Sequence, residues 1–168
     1  MSQTKRLTLM ALLVAIGTIF SNIFWVPAGV AKAFPIQHAV NVTAAILLGP
    51  GPGVFVAFAI GLLRNLLGTG TLLAFPGGMI GAFLAGVLYQ TIKRHWAAPI
   101  GEVIGTGIVG SLISVPFAKI FLGKSMGALA FIPSFLSSSF IGALIGLIVV
   151  KVLIKSNVVE DRFSRQPR

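Results

Sequence analysis

The sequence predicts an all-α integral membrane protein, a bundle of six transmembrane helices with both termini in the cytoplasm. Charged residues are almost absent from the first 150 residues, and those present divide the chain into uncharged runs of membrane length. A helix needs about 20 apolar residues to cross the hydrocarbon core of a bilayer. With 56% hydrophobic residues, the chain also lies far outside the composition of water-soluble domains. These observations exclude a soluble enzyme or a soluble binding module.

The first three predicted helices occupy the N-terminal part of the chain. Residues 7–26 form a run of 20 without an ionisable side chain. This run follows two basic residues, as in a signal peptide, but it is longer than a signal core, so we expect a retained helix. The uncharged run 33–63 is too long for one span and contains the Gly-Pro-rich segment 49–53, a strong turn signal. It is therefore divided into helices at 36–48 and 54–67, whose shortness predicts tilt or incomplete spanning.

Three longer helices complete the predicted bundle. The fourth, 72–92, follows the Gly-Thr-rich segment 68–71 and ends before a pair of basic residues. The fifth covers 100–121 and the sixth 127–153. All six helices form one membrane domain over residues 1–155, and residues 156–168 form a polar cytoplasmic tail.

The basic residues set the predicted orientation, because cytoplasmic loops carry an excess of lysine and arginine. Six helices place nine basic residues on the side of the termini and four on the opposite side, so both termini are expected in the cytoplasm. The nine are Lys5, Arg6, Lys93, Arg94, Lys151, Lys155, Arg162, Arg165 and Arg168; the four are Lys32, Arg64, Lys119 and Lys124. These charges lie at the ends of spans rather than in one patch, which predicts contact with the lipid bilayer and no nucleic acid partner. Trp25 and Tyr89, near opposite ends of their spans, suit an interfacial aromatic belt.

The polar side chains within the predicted spans share one depth, close to the outer surface. Polar groups are costly in lipid, so we expect them to face the bundle or a wet cavity. Their common depth predicts a small-molecule pocket that is open to the outside. The candidate substrate-binding residues are Asn22, Trp25, Gln37, His38, Asn41, Arg64, Asn65, Thr69, Phe75, Phe135 and Ser138.

Several of these candidates have two interpretations. His38 and Asn41 share a helix face, as do Gln37 and Asn41. This face would hydrogen-bond a polar heteroaromatic ligand, or it would bond to neighbouring helices as packing contacts. Arg64 would contact a ligand or gate, or its side chain would snorkel from a helix end. Aromatic side chains would stack on a planar ligand or belong to the belt; they are Trp25, Phe34, Phe75 and Phe135.

The sequence carries no predicted catalytic, metal or cofactor site. Glu102 is the only acidic residue before the tail, and we expect it at the inner end of the fifth helix, solvated or paired with Lys93 or Arg94. His38 has no acidic partner within sequence reach, so no activated nucleophile or metal-ligand cluster is visible. Lys32, Lys119 and Lys124 are expected to be solvated. No nucleotide-binding motif is present, so ATP-driven work requires another subunit.

Small residues spaced four apart form a second pattern. Ala11 and Ala15 lie on one face of the first helix, where they allow another helix to approach closely. The same spacing recurs at Gly77/Gly81, Ala82/Gly86, Gly101/Gly105 and Gly142/Gly146. For most of these pairs we expect internal packing. A flat face of small residues can instead receive a partner protein.

These features resemble the substrate-binding S components of energy-coupling factor (ECF) vitamin transporters. Within that group the chain is similar to the thiazole-associated ThiW family, over residues 5–153. The resembling stretches are Pro35-Ile-Gln-His-Ala-Val-Asn41, Leu48-Gly-Pro-Gly-Pro-Gly53, Gly61-Leu-Leu-Arg-Asn-Leu-Leu-Gly-Thr-Gly-Thr71 and Phe75-Pro-Gly-Gly78. The Ala-x-x-x-Ala motif is common in membrane helices, whereas the combined stretch from residue 35 to residue 78 is specific.

The resemblance implies a multi-pass subunit of a prokaryotic plasma membrane that captures a vitamin precursor outside. It would dock through Ala11 and Ala15 onto a transmembrane coupling subunit driven by two ATPase subunits, and topple to release its substrate inside. The implied substrate is hydroxyethylthiazole, a thiamine precursor, which suits a pocket with few hydrogen bonds and apolar walls. An expected lack of buried acids argues against whole thiamine, which is cationic. The alternatives are an S component for a pyrimidine or another vitamin, an autonomous channel or facilitator, and, least favoured, a membrane enzyme.

Overall fold

The chain is an all-α membrane protein, described in a computed structural model for residues 1–28, 31–123, 125, 127 and 129–158. Four of its helices are long and apolar enough to cross a membrane, and two are shorter. The long helices are α1 (Gln3–Ile23), α4 (Ala74–Ile92), α5 (Ala97–Leu122) and α6 (Ile132–Lys155), and the short ones are α2 (Pro35–Leu48) and α3 (Pro50–Leu66). Four basic residues used for the orientation lie outside the described residues, namely Lys124, Arg162, Arg165 and Arg168, as does most of the predicted tail.

Helix α2 is the centre of the bundle. It packs against all five other helices, and 12 of its 14 residues are buried. At 1.5 Å per residue it is about 21 Å long, shorter than the ~30 Å hydrocarbon core of a bilayer. The longer helices therefore surround a short helix, which leaves room for a cavity at one end of α2.

The turn within the Gly-Pro-rich segment is shorter than predicted. Only Gly49 separates α2 from α3, and α3 begins at Pro50. Gly49 has φ 93°, a conformation that glycine adopts without strain. Pro50 has its φ fixed for a helix, and its missing N–H is not needed at the first helical position. Proline here starts the helix and does not interrupt it.

A short β-hairpin, absent from the sequence prediction, follows α1. Its strands are β1 (Val26–Ala28) and β2 (Ala31–Ala33), paired antiparallel. Helix α1 ends at Ile23, so Trp25 lies in the connection to the hairpin and not in the helix. The hairpin packs on α6, where the Ser134 hydroxyl donates a hydrogen bond to the Ala28 carbonyl oxygen.

Helices α4 and α5 touch along a seam of glycines. A Cβ atom added to Gly110 would lie 2.5 Å from the Gly77 Cα, and one added to Gly105 would lie 2.7 Å from the Gly81 Cα. Both distances are shorter than real Cβ contacts. The two helices can therefore approach this closely only because these positions of α5 are glycines. This part of α5, Val103–Gly110, is wound as a π-helix. The prediction of internal packing for these glycines is confirmed.

Two predictions about surface residues have opposite outcomes. Tyr89 is only 1% exposed and packs in the core with residues such as Val42 and Ile46, so its assignment to an aromatic belt was wrong. Ala11 and Ala15 are exposed, because α1 uses its opposite side to pack on α2 and α3. The small face of α1 is therefore not occupied by this chain's own helices.

Candidate substrate cavity

A cavity of about 660 Å³ lies at the end of the bundle opposite the N-terminus of α1 and the C-terminus of α6. Its wall includes the C-terminal ends of α1, α3 and α5 and the N-terminal parts of α2, α4 and α6. Eight predicted site residues line it: Asn22, Trp25, Gln37, His38, Arg64, Thr69, Phe135 and Ser138. The volume falls within the usual range of small-molecule sites.

A hydrogen-bonded network closes the deep end of the cavity. The Nδ1 atom of His38 lies 2.7 Å from Oε1 of Glu102. The same oxygen lies 3.0 Å from Nδ2 of Asn41 and 3.0 Å from Oγ1 of Thr106. Because a carboxylate only accepts hydrogen bonds, Nδ1 of His38 carries the proton, and Nε2 is the ring nitrogen left for a ligand.

The expectation for Glu102 was wrong. Its side chain is fully buried, not solvated, and it is hydrogen-bonded to His38 rather than paired with Lys93 or Arg94. Hydrogen-bonding groups of α2 and α5 offset the burial of the carboxylate at Oε1, whereas Oε2 has no hydrogen-bond partner among the described residues. His38 thus has an acidic partner, but one 64 residues away in the sequence. The premise that the protein lacks a buried acid was wrong.

Arg64 lies at the side of the cavity and does not snorkel. It is only 1% exposed, and its guanidinium carbon lies 3.9 Å from the ring centroid of Phe34. Its Nη1 donates to Oε1 of Gln37 at 2.7 Å, and its Nη2 donates to the carbonyl oxygen of Thr69 at 3.1 Å. These contacts link the end of α3 to α2 and to the loop before α4.

Aromatic rings form much of the remaining wall. Trp25 is half-exposed, with the ammonium group of Lys32 4.1 Å from its ring centroid. Phe131 and Phe135 of α6 stack with their centroids 6.0 Å apart. The backbone N–H of Phe34 donates to the Ser138 hydroxyl at 2.7 Å, which ties the start of α2 to α6. The cavity thus combines flat apolar surfaces with a few polar groups.

Three predicted site residues lie off the cavity wall. Asn41 is fully buried beneath it and donates to the Gly78 carbonyl oxygen at 3.1 Å as well as to the network. Asn65 donates to the carbonyl oxygens of Gly61 and Thr71, at 2.8 and 3.1 Å, and so fixes the end of α3. The ring of Phe75 packs against another phenylalanine.

Sequence reasoning missed several parts of the cavity. Lys32 was expected to be solvated; it is exposed, but it also lines the cavity mouth. Lys119 is exposed, as expected. Thr106 and Gly77 line the cavity and are hydrogen-bonded to each other, Oγ1 to carbonyl oxygen, at 2.9 Å. The four-residue spacing of Glu102 and Thr106 was the one signal that could have indicated this polar face of α5.

The chain matches the model of a known protein family. A protein-family model described as thiamine-precursor transporter protein (ThiW) matches residues 7–156. The matched region covers all six helices apart from the first turn of α1. No curated protein sequence matches the chain.

Proposed function

We propose that this chain, which belongs to the ThiW family of thiamine-precursor transporters, is the substrate-capture subunit of an ATP-driven ECF importer. Its substrate is hydroxyethylthiazole, bound in the cavity from outside a prokaryotic cell. The observation that supports this most strongly is the cavity itself, which is lined by aromatic rings and a few hydrogen-bonding groups. A small heterocycle with an alcohol group needs both.

The proposed orientation rests on the distribution of basic residues. All six helices span or enter the bilayer, with both termini on the cytoplasmic side, as this distribution favours. The cavity then opens to the outside, since it lies at the end of the bundle opposite the cytoplasmic ends of α1 and α6.

The charges of the cavity disfavour thiamine, which is cationic, as the substrate. Glu102 is buried behind His38 and is already bonded, so it is not offered to a cationic ligand. Arg64 and Lys32, in contrast, line the cavity directly and would repel a thiazolium ring.

Transport then requires partner subunits. Ala11 and Ala15 are the docking face for a transmembrane coupling subunit, on which two ATPase subunits act. The exposure of both alanines on a helix that packs with its other side supports this assignment. The chain itself is not an enzyme. An autonomous channel is the alternative, and the closed network at the deep end of the cavity favours capture over free passage.

The experiment is calorimetry of the purified chain with hydroxyethylthiazole, hydroxymethylpyrimidine and thiamine. We expect saturable binding of the thiazole and weaker binding of thiamine. A His38→Ala variant should lose affinity, whereas the matched control Thr91→Ala, on the exposed far end of α4, should not. Stronger binding of the pyrimidine would reassign the substrate. Transport by the chain in vesicles without ATPase subunits would instead establish the channel.

A further inference from the structure

Arg64 is a buried cation without a carboxylate partner among the described residues. Two of its nitrogens meet neutral groups, since Nη1 donates to the amide oxygen of Gln37 and Nη2 to the carbonyl oxygen of Thr69, and Nε has no hydrogen-bond partner among the described residues. A buried charge without a counter-charge is costly, and one within a membrane domain is in most cases functional. The cost indicates that an anion from outside the chain completes this site.

The chain has few carboxylates with which to balance this arginine. Its whole sequence contains three acidic residues. Glu102 is bonded to the imidazole of His38, and Glu160 and Asp161 lie outside the described residues. Within the described residues, therefore, the charge of Arg64 is not matched by an ion pair.

A second cation lines the same cavity. Lys32 lies at its mouth, where the ammonium group is held 4.1 Å from the ring centroid of Trp25. Arg64 and Lys32 thus give the wall two positive charges, one buried and one exposed. The stacking of Arg64 on Phe34 holds the guanidinium flat and fixed in direction.

The geometry points to an oxyanion subsite at Arg64 and Lys32, which binds the phosphate or carboxylate group of an anionic thiamine precursor. This inference rests on the proposed function, since the heterocycle of the precursor occupies the rest of the cavity. The volume of about 660 Å³ has room for both parts. An arginine fork matches the planar edge of a carboxylate or two oxygens of a phosphate.

The test compares neutral and anionic ligands within matched pairs. Calorimetry in an uncharged detergent would use hydroxyethylthiazole, its phosphate monoester and the corresponding thiazole acetate. Hydroxymethylpyrimidine and its phosphate monoester form a second pair. In whichever pair binds, we expect the anionic ligand to bind about ten- to hundredfold more tightly than the neutral one. This is the gain expected from a charge-assisted hydrogen bond. A stronger effect of phosphate or of carboxylate identifies which anion the subsite takes.

Variants separate a charge effect from a folding defect. Arg64→Gln should abolish the preference for the anionic ligand, measured as the ratio of two affinities, while Arg64→Lys should retain part of it. If Arg64→Gln does not fold, Lys32→Gln should still reduce the ratio several-fold, because this side chain is exposed. Lys119→Gln is the matched control, since Lys119 is exposed and does not line the cavity.

The outcomes distinguish this inference from the proposed function. If the neutral precursor binds as tightly as its anionic partner, the subsite is refuted and the precursor-binding function stands. If an anionic form binds more tightly but the ratio survives in both Arg64→Gln and Lys32→Gln, the subsite is refuted at these residues. If no member of either pair binds, both the function and the subsite are refuted.

Discussion

Replacing Glu102 with alanine should destabilise the protein chiefly through one residue, His38. Three donor groups lie within hydrogen-bond distance of Oε1 of Glu102, but two of them have another acceptor after its removal: Asn41 keeps the Gly78 carbonyl oxygen, and the single hydroxyl proton of Thr106 can go to that of Gly77. Nδ1 of His38 has Glu102 as its hydrogen-bond partner. The substitution therefore leaves one buried donor unsatisfied.

The magnitude follows from that count. An unsatisfied buried donor costs about 1–3 kcal/mol, and the loss of one buried methylene group costs about 0.8 kcal/mol. Glu102→Ala should thus lower the free energy of unfolding by about 2–4 kcal/mol. In a His38→Ala background the same substitution should cost less by about 1.5–3 kcal/mol, the contribution of a hydrogen bond to a charged group.

The assay is a double-mutant cycle of unfolding in detergent mixtures, followed by tryptophan fluorescence. His95 supplies the control cycle, because it is the second histidine and stacks on Tyr89 at a centroid distance of 5.7 Å. His95→Ala and Glu102→Ala should be additive within about 0.5 kcal/mol. Additivity of His38→Ala and Glu102→Ala within the same limit would refute the network at the deep end of the cavity.

Three further predictions concern docking, helix packing and binding. Tryptophan at both Ala11 and Ala15 should abolish co-purification with the ATPase module and uptake in cells, while ligand affinity of the isolated chain persists; normal transport would disprove the docking face. Gly81→Ala should lower the free energy of unfolding by about 1–3 kcal/mol, because the methyl group would meet a hydroxyl and a carboxylate of α5, whereas Gly51→Ala, with nothing within 4 Å, should be neutral. His38→Ala should weaken binding of hydroxyethylthiazole by about 1–3 kcal/mol, and unchanged calorimetric affinity would assign the imidazole to packing alone.

The positions of the helices could be predicted from the sequence because lipid imposes a cost on every polar residue. An uncharged run of membrane length therefore indicates a membrane span, since few other structures suit it. Helix ends were less predictable, since single backbone geometries decide them. Pro50 lies among several glycines, a pattern that predicts a turn. Because Gly49 adopts a positive φ, however, the chain has already turned, and Pro50 starts a helix.

The sequence predicted at which depth of the bundle the candidate site lies, but not which hydrogen bonds its residues make. Gln37, His38 and Arg64 converge on one cavity, as their shared depth predicted. Asn41 shares a helix face with His38, yet it turns beneath the cavity to Glu102, 61 residues away in sequence. Glu102 was predicted at a solvated helix end because burying a carboxylate is costly. The donors that offset this cost come partly from another helix, and the positions of charges in the sequence do not reveal them.

The attachment of α1 has a consequence for how the protein is made. This helix is synthesised before α2 and α3, the helices on which it packs. It must therefore remain in the bilayer as a single span until they arrive, which its apolar length permits. Lys5 and Arg6 lie in its first turn, so the charges that bias the side of the membrane on which its N-terminus stays are made before α2 and α3. Substituting these two residues should therefore disturb the orientation of the helix during synthesis, although both side chains are exposed in the finished bundle.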